Sequence, residues 1–132
     1  MEERVISAVK KAIAESLAIP AGDIALESRL VDDLGADSLD FVDIVFMLDR
    51  DLDIRVRETE FNFLTRLDFS SPDVMTGEHL TLEVADRLAK FLPALAALPD
   101  RTTITPRKLF SLITVESVAI VCQQAIEARK TA

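Results

Sequence analysis

The sequence predicts an all-α fold. Apolar residues recur at the three-to-four-residue helical interval in several segments, cap residues or proline stand at the segment boundaries, and no β-hairpin signal, internal repeat or low-complexity linker separates them. At 132 residues the chain can bury one core without disulfides or a structural metal, so residues 1–132 read as a single domain.

Taken in order, Val5, Ile6, Val9, Ala12, Ile13 and Leu17 predict an amphipathic helix over 2–17, ended by Pro20, Gly22 and Asp23. A long loop over 18–36 follows. Gly35 breaks what precedes the second helix, Asp37 or Ser38 can cap it, and apolar periodicity then runs to Leu52. "RVRETEFNFLTRLDFSSPDVMTGE" mixes Phe, Ser, Pro and Gly and yields no assignment. "TLEVADRLAKFLPALAAL" reads as a helix capped by Thr81, with Val84, Leu88, Phe91, Leu92 and Leu95 on one side and a bend at Pro93. Thr105 before Pro106 predicts a short helix over "TPRKLFSL". The last helix is capped by Thr114 and turns Val118, Val121, Cys122, Ala125 and Ile126 inward.

Charge narrows the function. Between Leu30 and Asp53 eight carboxylates face one base, Arg50, so seven of the eight net negative charges of the chain fall in that stretch. Phosphate backbones repel such a surface and no basic stripe offsets it, which excludes nucleic acid and favours basic protein partners. No window approaches a membrane span, leaving membrane contact to partners. The charged N-terminus lacks a signal-peptide core and the single Cys122 cannot form an internal disulfide, so the expected location is cytoplasmic.

On a helix at 100° per residue, Phe41, Ile44, Val45, Leu48 and Leu52 form one stripe, wide enough to anchor residues 38–52 to a core. Leu39, Val42 and Phe46 fall on a different face, bordered by Asp43, Asp49 and Arg50 and headed by Ser38. A helix needs one apolar stripe to pack. The second is either covered by the fifty residues that follow or kept for a visitor. Ser38 stands where free N–H groups and the helix dipole favour an anion, the environment that suits a serine carrying a phosphodiester.

"DDLGADSLDFVDIVF" resembles the prosthetic-group attachment motif of acyl carrier proteins, in which the serine of a D-S-L triplet holds a 4′-phosphopantetheine arm whose thiol carries acyl thioesters. "ESRLVDDLG" upstream and "TVESVAIV" downstream are similar to the family's loop and last helix, and "SLDFVDIVF" is similar to the specialised carriers of very-long-chain acyl groups for lipid A. The resemblance implies a four-helix bundle and a carrier without turnover chemistry of its own. It makes Ser38 the attachment residue between Asp37 and Leu39. Asp37, Asp40 and Asp43 would steer basic patches of the phosphopantetheinyl transferase and of acyl synthases and acyltransferases, Leu39, Val42 and Phe46 would dock, and Phe41, Val45 and Leu48 would line the acyl pocket. The carrier is expected to act as a monomer.

The likeness covers about 1–54 and 104–130. The intervening segment, about 56–103, reads as a helical subdomain inserted between the second and third helices of the family, serving to enlarge the acyl pocket or to recognise a dedicated partner, or else only packing on itself.

Other readings are weaker. A hydrolytic Ser38 would need a base, and the only histidine, His79, lies beside a turn and reads as exposed or capping. Asp49, Asp51, Asp53 and Glu60 are spaced like a calcium loop, but Ile54 stands where that loop needs glycine. Cys122 reads as a core residue. Two alternatives stay open: a carrier of aminoacyl or polyketide cargo, and an acidic helical adaptor whose Ser38 is never modified.

Overall fold

A computed structural model describes residues 1–131, and its architecture is the all-α one expected. Helix α1 (Glu3–Leu17) buries Val5, Val9, Ala12 and Ile13 against α2 (Ser38–Leu52) and α7 (Val115–Thr131). It ends at Leu17, as expected, before the Pro20–Asp23 signal. Ala18 adopts the left-handed conformation, φ 55°, and the N–H groups of Ala18 and Ile19 both donate to the Ala14 carbonyl. Those two bonds offset the cost of placing a Cβ in that region.

The loop after α1 is tied down rather than loose. Ile24 and Leu30 are buried, the Leu30 N–H donates to the Ile113 carbonyl at 3.0 Å, and the Val115 N–H donates to Ser28 at 3.0 Å. These bonds hold the chain that leads into α2 beside the start of α7. There Thr114 and Ser117 cap the helix reciprocally: the Ser117 N–H donates to Thr114 Oγ1 at 3.1 Å and the Thr114 N–H to Ser117 Oγ at 3.0 Å.

The unassigned stretch forms three small elements. A 3-10 turn (Val56–Glu58) leads into α3 (Glu60–Thr65), whose Phe61 and Leu64 are buried. Strands β1 (Met75–Thr76) and β2 (His79–Leu80) then make an antiparallel hairpin, contrary to the expectation of none. Two-residue strands carry no alternation to read; the turn itself was the only signal, Gly77 at φ 64° followed by Glu78. His79 is half-buried in β2, neither exposed nor a cap.

The expected bent helix over 81–98 is two helices, α4 (Leu82–Ala89) and α5 (Pro93–Ala96), because Pro93 opens a new first turn instead of kinking an old one. Thr81 stands at the start of α4, but its hydroxyl donates to the Asp73 carbonyl, not to the helix. Helix α6 (Pro106–Ser111) starts as expected, with Thr105 Oγ1 accepting from the Lys108 N–H. Leu88, Phe91, Leu92 and Leu95 belong to the same buried cluster as Ile13, Leu48 and Cys122.

If the core is one cooperative unit, Leu88→Ala lowers global stability by about 2–5 kcal/mol. Denaturant unfolding followed separately near α2 and near α4 should give coincident transitions. Separate midpoints would show that residues 56–103 fold independently.

Candidate functional site

Helix α2 begins at a capping box. The Asp37 carboxylate accepts the Asp40 N–H at 3.0 Å and the Asp40 carboxylate accepts the Asp37 N–H at 2.9 Å, while Ser16 Oγ approaches Asp40 at 3.4 Å from α1. The Asp40 N–H, the largest influence, holds the Asp37 carboxyl below its ordinary 3.8. Ser38 is the first residue of the helix. It is exposed, and its hydroxyl makes no hydrogen bond among the described residues.

The two faces of α2 separate as their spacing implies. Ile44, Leu48 and Leu52 are buried, whereas Leu39, Val42 and Phe46 are 75%, 66% and 67% exposed. The fifty residues after the helix do not cover this second face. Asp43 on its rim is exposed and makes no ion pair among the described residues. Further along, Arg50 pairs with Asp51 at 2.9 Å and Arg129 with Asp53 at 3.1 Å, so the unpaired negative charge lies toward the Ser38 end.

A cleft of about 450 Å³ opens beside Ser38. From α2 it takes Phe41, Val42 and Val45, with Phe110 and Ile113 closing the far side. Phe69 braces Phe110 edge-on with ring centroids 6.2 Å apart. The segment after α2, for which pocket enlargement was one expectation, adds Val56, Arg57, Phe61, Asn62 and Thr65 to the lining, residues that sequence reasoning did not name for it. A readable hint existed, since Thr59 accepts from the Phe61 N–H as a cap and Phe61 and Leu64 sit at helical spacing. Phe41 and Phe61 approach with centroids 6.2 Å apart and also face a nearly closed space of about 10 Å³ behind the cleft. Leu48 reaches only this inner space and not the cleft.

Phosphopantetheine attachment site is the description of the family model that matches residues 7–70. The acyl carrier protein of Clostridium acetobutylicum is 45% identical over 56 residues, which cover 42% of this chain and 73% of that protein. The acyl carrier protein of Campylobacter lari is 33% identical over 60 residues, or 46% of this chain and 78% of that one. The chain belongs to the acyl carrier protein family. It is a carrier whose prosthetic group is 4′-phosphopantetheine, not an enzyme. No solved structure matches at a significant level. The family match takes in α3 and ends before the hairpin, so the likeness seen in 104–130 lies outside it.

The remaining candidates have structural roles. Cys122 is fully buried, and desolvation first, then Asp49, pushes its thiol up to about 12, which leaves it a neutral core residue. Asp49 accepts the Val56 N–H at 2.8 Å, and Asp53 ends α2 with φ 53°. Among the described residues, no His, Cys, Asp and Glu cluster is arranged to hold a metal ion, and no helix is long and apolar enough to cross a membrane.

Because the folded Asp37 carboxyl titrates below 3.8, its cap is fully formed above that pH and is lost as pH falls through the lower folded value. Hydrogen-exchange protection of the Asp40 amide, corrected for intrinsic rate, should drop over that acid range. Asp37→Ala should lower it already at neutral pH; equal protection in both proteins would contradict the cap.

Proposed function

We propose that Ser38 carries the 4′-phosphopantetheine arm and that the cleft beside it shelters the acyl chain. The observation that supports this most is the juxtaposition of an exposed serine hydroxyl, at the first turn of α2, with an opening lined by Phe41, Val45, Phe61 and Phe110. The arm supplies a thiol that holds acyl groups as thioesters. The chain's own residues hold and present it. Each methylene withdrawn into the cleft contributes about 0.8 kcal/mol, so cargo is retained by area rather than by a specific contact. An apolar cleft favours hydrocarbon cargo over aminoacyl cargo.

Leu39, Val42 and Phe46 are the surface for docking, and Asp37, Asp40 and Asp43 draw basic patches of the phosphopantetheinyl transferase and of acyl synthases and acyltransferases. Exposed charges steer encounters without tight binding, which suits a shuttle that must leave each enzyme. The likeness of "SLDFVDIVF" to carriers of very-long-chain acyl groups for lipid A supports such acyl groups as the cargo, within fatty-acid or lipid synthesis in the cytoplasm. The chain is read as a single carrier domain; the cleft wall at Val56–Thr65 lies within the matched residues 7–70, so an insertion of the kind expected over 56–103 is confined to the part beyond residue 70.

Incubation with coenzyme A and a phosphopantetheinyl transferase should add the mass of one phosphopantetheine to the wild type and none to Ser38→Ala. No addition to the wild type, or equal addition to both, would leave the unmodified adaptor as the better reading.

A further inference from the structure

A phosphodiester on Ser38 would enter a negative neighbourhood. The capping box already fills the helix terminus with two carboxylates, Asp37 and Asp40, and Asp43 stands one turn on with no ion pair among the described residues. The box thus takes up the Asp40 N–H and sets carboxylates beside Ser38, which offsets the attraction of the helix terminus for an anion. One cationic side chain lines the same cleft as Ser38, and it is Arg57. Arg57 is exposed and makes no ion pair among the described residues, whereas neighbouring Arg55 and Arg87 are engaged by Glu58 and Glu60.

Beside Arg57 the wall is polar in a way the cleft's apolar contents do not require. The half-buried Asn62 side chain makes no hydrogen bond among the described residues, and Thr65 Oγ1 donates to the Asn62 carbonyl at 3.2 Å with its own lone pairs left over. We infer that Arg57, Asn62 and Thr65 form a binding strip for the polar length of the arm: Arg57 for the phosphodiester, Asn62 and Thr65 for its amides. The occupant is the arm of the same chain, tethered at the mouth of the cleft. Arg57, Asn62 and Thr65 would hold the arm's polar length on the same cleft that Phe41 and Phe61 line, and salt or a competing cation on a partner would weaken the hold of Arg57. Arg57 is thus a positioning residue. The inference rests on Ser38 as the attachment point.

The test loads wild type, Arg57→Gln and Arg57→Lys with coenzyme A and a phosphopantetheinyl transferase, verifies loading by intact mass, acylates all three, and measures thioester cleavage by hydroxylamine at low and high salt. Cleavage should be about fivefold faster in Arg57→Gln, the upper range for one exposed ion pair, and intermediate in Arg57→Lys. Salt should accelerate the wild type and leave Arg57→Gln unchanged. Amide signals of Asn62 and Thr65 should move on loading in the wild type and move less in Arg57→Gln. Full loading with equal rates and equal salt response in all three proteins would overturn the strip alone. Failure of the wild type to load would overturn the Ser38 reading and the strip with it.

Discussion

The reciprocal pair of hydrogen bonds between Asp37 and Asp40 decides where α2 begins, and the function depends on that starting point. Burial of Ile44, Leu48 and Leu52 against α1 and α7 sets the rotation of the helix. The box sets its first residue. With both fixed, 100° per residue sends Phe41 and Val45 toward the cleft, sends Leu39 and Phe46 to solvent, and leaves Ser38 and Val42 at the margin between them. A helix beginning one turn later would lose the serine from its terminus.

One short helix thereby serves two environments whose energetics differ in kind. On the proposed function, the cleft side retains cargo through apolar area, which salt hardly touches. On the same reading the outer side attracts partners through carboxylates, whose reach at physiological ionic strength is about 8 Å. Between them runs the polar margin of Arg57, Asn62 and Thr65.

Much of this was readable beforehand, for physical reasons. Helices α2, α6 and α7 combine a long apolar period or a proline-started first turn with a named cap residue, α1 has the apolar period alone, and all four lie where those signals stand. The second apolar stripe of α2 followed from helical projection, whereas its openness, left as one of two alternatives, came from the exposure of Leu39, Val42 and Phe46. The far wall of the cleft did not follow. Val56, Phe61 and Phe110 meet only through tertiary packing, and α3, six residues long, is too short to show a period. The hairpin at Gly77 and the division at Pro93 were missed because each turns on backbone geometry at one residue rather than on a pattern.

The central claim is that cargo attached at Ser38 lies in a cleft walled partly by the segment after α2. It is tested most directly by nuclear Overhauser contacts in the loaded protein carrying an isotopically labelled acyl chain. The account requires contacts from the acyl methylenes to the rings of Phe41 and Phe61. Contacts confined to Leu39 and Phe46, or an acyl chain with no protein contacts, would contradict it.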